Sequence, residues 1–309
     1  MSNIEQVGYL YQEKLIASPL NYIGGKYKLL NQIMPLFPKD ISIALDLFCG
    51  GANVGINIKA QDIILNDSLV ELIKFYQSLQ SCDLQQSFNI IWDIIHTFGL
   101  SNSAQFGYKF YQCDSQKGLS SYNKEKYLAL RNHYNKKRGS FDLFVLIVFA
   151  FNNQIRFNSN GDFNLPCGKR DFNKNMQEKL KYFIINLQSK NVKISSYDFR
   201  RFDIGFLDSK SFVYIDPPYF LATAPYNENN AWTLQDELDL LEFLNILNAK
   251  KIRFALSNVI FHKGKEHRIL KDWLDKYSSF HLHFLDFHYK NCNYQTKQSL
   301  SKEVLITNY

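Results

Sequence analysis

Asp216-Pro217-Pro218-Tyr219 follows directly on the apolar segment Phe212-Val213-Tyr214-Ile215. Each residue type suits the capture of a planar ligand that carries an amino group. The Asp216 carboxylate can accept a hydrogen bond from an exocyclic NH2, and the carbonyl of Pro217 can accept a second. Two successive prolines fix φ and so hold that carbonyl in place. Tyr219 offers a face on which a base can stack. The same Asp-Pro-Pro serves many ordinary turns. The apolar strand before it and the aromatic after it favour the ligand-binding reading.

Two further segments carry chemistry less sharply. In Ala44–Asn53 (ALDLFCGGAN), Gly50 and Gly51 allow a tight turn and a close backbone approach to a ligand. Asp46, near the end of that predicted strand, can bind an ammonium, and Asp67, after the next one, can take a ribose diol. The spacing is not GxGxxG, so a pyrophosphate loop is disfavoured. An ordinary strand-to-helix turn explains the glycines equally well until Asp67 is added. Pro19–Leu30 (PLNYIGGKYKLL) sets Gly24-Gly25-Lys26 before a helix-like stretch but lacks P-loop spacing. By itself it reads as a helix start with a solvated lysine.

The surrounding pattern says what positions these residues. Residues 41–48 and 62–67 read as strands, and Leu69, Leu72, Ile73 and Tyr76 fall at helical spacing. From Leu84 to about Tyr134 the chain reads as mostly helical. Leu143–Phe151 is the longest apolar run, nine residues, fitting a buried helix or strand and far short of the ~20 a membrane span needs. Asn160-Gly161 between aromatic-containing segments predicts a hairpin. Strand-like segments resume at VKISSYDF, SFVYIDPPY, KIRFALSN and EVLITNY. We expect a discontinuous α/β domain formed by about 1–78 plus 190–309, with residues 79–189 inserted.

Charge marks the insertion. Of a net +7 over 309 residues, Lys117–Lys181 carries +8 and leaves the remainder at −1. A concentrated basic segment on a near-neutral body suits a polyanion binder, although a solvated helix face explains charge alone equally well. A 46% hydrophobic share excludes a wholly disordered chain. The five cysteines are scattered without a CxxC pair, against a zinc ribbon or disulfide framework. No basic-then-apolar leader opens the sequence, so the expected compartment is the reducing cytoplasm.

Taken together and in order, YIGGKYKLL, LDLFCGGANVGIN, LNDSLVELIKFY, FNNQIRFNSNGDFNLPCGKRDF, DPPY, ALSN and EVLITNY resemble the Dam-like DNA adenine methyltransferases over nearly the whole chain. The resemblance implies a Rossmann-like methyltransferase sheet with an inserted, mostly helical DNA-recognition domain containing a β-hairpin. It also implies methyl transfer from S-adenosylmethionine to the exocyclic N-6 of adenine in double-stranded DNA, without a metal. Tyr22, Lys26, Asp46, Phe48, Gly50, Asp67 and the pair Asp198-Phe199 fall on cofactor motifs; Asp216, Pro217, Pro218 and Tyr219 fall on the catalytic one. Arg156 matches the recognition arginine of the hairpin, and Asn152, Asn158, Lys169 and Arg170 resemble groups near the DNA backbone or the target base. Ala52 stands where the family often has glycine, and Tyr22 where it often has tryptophan.

By the same resemblance the expected setting is a prokaryotic or phage-encoded modification enzyme, Dam-like or of restriction-modification type, monomeric and off the membrane, with the existence of a cognate restriction endonuclease left open. Two other readings stay open: an RNA adenine methyltransferase, and a catalytically decayed DNA-binding regulator. Asp216 argues against the first, since RNA and protein-glutamine enzymes more typically carry Asn there. The intact motifs argue against the second. The site to be methylated stays open between GATC, CATG and other short sequences, because one arginine specifies at most one guanine.

Overall fold

The computed structural model describes residues 15–114, 116–221, 232–286 and 301–309. The N-terminal segment 1–14 and Cys292 therefore lie outside the described residues. In chain order the elements are α1 (Leu30–Ile33), β1 (Ile43–Asp46), β2 (Asp62–Asn66), α2 (Val70–Ser81), α3 (Leu84–Thr97), α4 (Ser103–Phe110), α5 (Ser120–Lys137), α6 (Ser140–Phe149), α7 (Lys174–Ser189) and β3 (Asn191–Ser195). They continue with β4 (Phe212–Ile215), α8 (Leu234–Ala249), β5 (Arg253–His262), β6 (Lys265–Glu266), α9 (Arg268–Leu274), β7 (His281–Leu285) and β8 (Lys302–Thr307). Contacts divide the chain into two compact units. The first comprises Met1–Gly25, Gly50–Ile56 and Leu69–Ile194, and the second Lys26–Cys49, Asn57–Ser68 and Ser195–Tyr309.

The second unit is built on a mixed sheet whose strands run β2-β1-β4-β5-β8-β7. β1 pairs in parallel with β2 and β4, and β4 with β5. β8 then pairs antiparallel with both β5 and β7, and β6 folds back on the end of β5. β4 (FVYI) is buried at every position, as expected of a central parallel strand covered on both faces. Its neighbours in the core include Leu45, Ile64, Leu256 and Ile306 from the sheet, Leu240, Leu244 and Leu247 from α8, and Leu270 and Trp273 from α9. α8 begins at a reciprocal capping box between Thr233 and Asp236. The chain leaves β1 toward β2 on one side, while β4 lies on the other. The carboxyl ends of β1 and β4 thus flank a topological switch point, where open α/β sheets bind ligands.

The first unit is helical apart from a hairpin and β3, which carries the chain into the second unit at Ser195. The apolar run that begins at Leu143 forms helix α6, buried from Leu143 through Phe149 because it is apolar all round. Phe144 of α6 stacks on Phe75 of α2 at 4.9 Å and meets Phe172 edge-on. The hairpin turns at Asn160-Gly161, as its sequence predicts. Phe157 bridges Phe163, Gly161 takes φ +75°, and the Asn158 side chain accepts from the backbone N–H groups of Asn160 and Asp162. Tyr127, Arg131 and Asn135 of α5 bind backbone groups at Phe163 and Leu165 and seat the hairpin. No helix among the described residues is long and apolar enough to cross a membrane.

Candidate active site

Asp216 follows the last residue of β4, and two buried hydrogen-bonding systems shape its surroundings. In the first, Asn66 at the end of β2 uses its whole side chain. Its Nδ2 donates to the carbonyls of Leu47 (3.0 Å) and Tyr197 (2.9 Å), and its Oδ1 accepts from Ser195 Oγ and the N–H of Tyr197. One amide thereby fixes the exit of β1 and the turn that leads to Asp198. Asp46 ends β1 with 1% of its surface exposed, and Asp67 follows β2 with 9% exposed. The backbone N–H of Asp67 donates to the carbonyl of Ser195.

The second system surrounds the catalytic motif. Lys26 Nζ lies 2.9 Å from Asp216 Oδ1 and 3.4 Å from Glu303 Oε1. The single proton of the Tyr219 hydroxyl is shared between the carboxylates, 3.2 Å from Asp216 Oδ1 and 2.8 Å from Glu303 Oε1, and Lys26 Nζ sits 4.9 Å from the centre of the Tyr219 ring. Burial alone would push the Lys26 ammonium down; Asp216, then Glu303, override it and hold it above its ordinary value. Burial pushes the Asp216 carboxyl up, Lys26 pulls it back, and Glu303 adds to the upward push. Burial and the two carboxylates also keep the Tyr219 phenol firmly protonated. Lys26 and Tyr219 both meet Asp216 at Oδ1, so that edge of the carboxylate is set by the protein.

Phe48, Phe199 and Trp232 form an aromatic triangle. Phe48 and Phe199 centroids are 5.4 Å apart, and Trp232 lies 5.8 Å from each. Phe199 is buried in the core, and the half-buried Phe48 and Trp232 that pack against it are the rings open to a flat heterocycle. Asp198 caps the short turn Phe199–Arg201 through the N–H of Arg200 and pairs with the Arg200 guanidinium, which also engages Asp236 and Asp239.

In the first unit, Tyr22 and Gly50 meet. Gly50 has φ +45°, and a Cβ there would stand 2.9 Å from the Tyr22 ring, so the turn needs glycine both for its backbone and for the aromatic against it. Tyr76 donates to the Gly50 carbonyl, and Asn53 Oδ1 accepts from the N–H of Ser18. The basic residues of the insertion lie on exposed ground. Arg156 Nε and Nη2 bind Asn164 across the hairpin. Lys169 reaches the carbonyl of Gln116, and Arg170 reaches the Tyr108 hydroxyl. Asn152 has φ +55° at the end of α6. Arg170 also lines a cavity of about 280 Å³ with Asn21, Asn153, Asn173 and Lys179. No group of three metal-ligating side chains occurs among the described residues.

The sequence singled out Lys26, Asp216 and Tyr219 separately; the structure joins them and adds Glu303, the first residue of EVLITNY, which reads only as a strand start. Trp232 and Asn66 were equally unannounced. Asn66 precedes Asp67 at a strand end, and its position there was the one available signal.

The D12 class N6 adenine-specific DNA methyltransferase family matches residues 22–291. The chain is 42% identical over 307 residues to "Modification methylase StsI" of Streptococcus sanguinis, covering 96% of this chain and 43% of that protein. It is 39% identical over 310 residues to "Type II methyltransferase M.FokI" of Planomicrobium okeanokoites, covering 98% and 44%. To "DNA adenine methylase" of Escherichia coli (strain K12) it is 25% identical over 249 residues, covering 77% and 79%. The chain thus spans less than half the length of the first two relatives. With a switch-point site centred on Asp216 and a family match over most of its length, the chain belongs to the D12 class N6 adenine-specific DNA methyltransferases.

Proposed function

We propose that this chain transfers a methyl group from S-adenosylmethionine to the exocyclic N-6 of adenine in a short duplex DNA site. The observation that carries this reading is the Asp216 carboxylate, largely buried beyond the central strand, with one oxygen fixed by Lys26 and Tyr219. The names of the relatives, modification and type II enzymes, favour a role in marking DNA against a cognate endonuclease.

The residues present fit the cofactor. Asp67 supplies a carboxylate at a strand end for a ribose diol, the Phe48–Phe199–Trp232 cluster supplies aromatic faces for an adenine, and Asp46 supplies a buried anion for an ammonium. Asp198 in the second unit, and Tyr22 and Gly50 in the first, are the other residues that the resemblance assigns to the cofactor. When bound, S-adenosylmethionine supplies a sulfonium methyl, an already activated donor.

The protein's own part is to prepare the acceptor. Adenine N-6 is a weak nucleophile because its lone pair is delocalised into the ring. Hydrogen bonds from its two amino protons to Asp216 and the Pro217 carbonyl favour a more pyramidal nitrogen with its lone pair out of plane. Pro217-Pro218 stiffens that acceptor, and Tyr219, tied by its hydroxyl to Asp216 and Glu303, presents a ring for the base. The target must leave the duplex to reach this site; stacking on Tyr219 recovers about 1–3 kcal/mol of that cost. In this reading residues 79–189 supply DNA recognition: Lys169 and Arg170 meet phosphates, Arg156 reads a base, and Asn152 and Asn158 lie near the backbone or target base.

Methyl transfer from labelled S-adenosylmethionine to native genomic DNA, with RNA as the competing acceptor, tests the proposal. Asp216→Ala should fall below a few per cent of wild-type turnover while cofactor and DNA affinities stay within about tenfold. Transfer to RNA but not DNA, or a fully active variant, refutes it.

A further inference from the structure

Glu237 is a buried acid that takes no part in the proposed chemistry. Glu237 and His267 have fully buried side chains, with Glu237 Oε1 3.0 Å from His267 Nε2. The other oxygen, Oε2, accepts from the indole N–H of Trp232 at 2.7 Å. His267 Nδ1 accepts from the N–H of Leu270, capping α9, and Nε2 lies close to Glu237 Oε1 without hydrogen-bond alignment. The His267 ring also packs against Phe220 at 5.7 Å. Phe220 is the residue after Tyr219, and Trp232 is one wall of the aromatic triangle.

A carboxylate and an imidazole sealed in an apolar core are costly, and a pair of apolar residues of similar size is often neutral or more stable. Structural need alone therefore does not account for them. What they do that an apolar pair cannot is fix direction: the Trp232 N–H is held on one oxygen of a carboxylate whose other oxygen faces His267. We propose that Glu237 and His267 are positioning residues, locking Trp232 for the cofactor's adenine and, through Phe220, the Tyr219 stacking face for the target base. This rests on the functional reading above.

The test uses the full chain, with S-adenosylmethionine and native genomic DNA as probes. In Glu237→Met/His267→Leu the paired polar groups leave together, so the thermal midpoint should stay within a few degrees of wild type. Cofactor dissociation constants from calorimetry should rise at least tenfold, and kcat should fall at least tenfold. A folded double variant with either quantity changed by less than tenfold overturns the proposal. Should that variant fail to fold, Glu237→Gln decides, because it keeps the side chain's size and turns one of its two acceptors into a donor. Its cofactor dissociation constant should rise at least fivefold and kcat should fall at least fivefold, and a smaller change in either overturns the proposal. A wild-type chain that methylates no DNA sinks the functional reading and this inference with it, whereas an active wild type with unaffected variants sinks the inference alone.

Discussion

Lys26→Met should move the acid limb of the proposed methyl transfer to higher pH. Lys26 is 4% exposed and faces two carboxylates at 2.9 and 3.4 Å, themselves 17% and 13% exposed. At an effective dielectric of about 20, each contact is worth roughly 5–6 kcal/mol of gross attraction. Desolvation offsets most of this, and removing one partner of a buried pair typically costs ~3–5 kcal/mol net. The variant sheds that cost by taking up a proton on Asp216 or Glu303. A cost of ~3 kcal/mol corresponds to about two pH units.

The sign follows from the groups around Asp216. Its carboxyl is already raised by burial and by Glu303, and Lys26 is what pulls it down. Asp216 must be ionised to accept from the adenine amino group. Without Lys26 the acid limb of the single-turnover rate should move up by about one to two pH units. Glu303→Gln removes a like charge and should move the same limb down. In stability the Lys26 contribution is present below the ordinary lysine value, about 10.4, and fades as pH rises through its raised folded value. Rate–pH profiles on DNA at saturating cofactor supply the measurement. An acid limb that coincides in wild type and Lys26→Met, or shifts down in the variant, refutes the reasoning.

Asp67→Ala should weaken S-adenosylmethionine binding roughly 10- to 150-fold, since hydrogen bonds to a charged group contribute ~1.5–3 kcal/mol; calorimetry showing unchanged affinity in a folded variant removes Asp67 from the cofactor site. Arg156→Lys keeps the charge but loses the planar fork, so it should cost ~1–3 kcal/mol on the target site and leave the salt slope unchanged. Sequencing of modified bases from cells expressing each form shows whether the methylated motif, GATC, CATG or another, loses selectivity. Lys169→Gln or Arg170→Gln should weaken binding to all duplexes alike and flatten the salt slope by about one unit per lost phosphate contact, checked by titrations across salt concentrations.

How far the sequence could be read depended on whether a residue's role is local. The strands ending at Asp46 and Ile215, the helix through Leu72 and Tyr76, and the Asn160-Gly161 turn all follow from periodicity or turn chemistry, and the structure places them accordingly. The run from Leu143 stayed ambiguous between helix and strand because an all-apolar segment has no periodicity to read. β7 (HLHFL) went unread because it is mostly exposed at the sheet edge and its histidines interrupt the apolar pattern. The partners of Asp216 were hidden for a different reason. Lys26 lies 190 residues before it and Glu303 87 after, and only the sheet order brings β4 and β8 to either side of β5. Lys26 by itself reads as a solvated lysine, yet it is among the most buried charges of the protein.

The separation of charge along the chain has a physical logic that neither unit shows alone. The first unit holds the +8 segment on exposed side chains, where long-range attraction to phosphates costs little desolvation. The second unit buries Asp46 and Asp67 at strand ends and half-buries Asp216 and Glu303, which it answers with Lys26. A polyanionic duplex and a cationic methyl donor demand opposite fields, and a single evenly mixed surface would serve neither. In the proposed function exposed basic residues suffice for the duplex because its charge is large and repeated. The methyl donor carries a single sulfonium charge, which in water is strongly screened, so its complement has to be buried to act strongly. On this argument salt should weaken DNA binding steeply and cofactor binding little. A cofactor dissociation constant that tracks ionic strength as steeply as the DNA constant would contradict the placement of those carboxylates in its site.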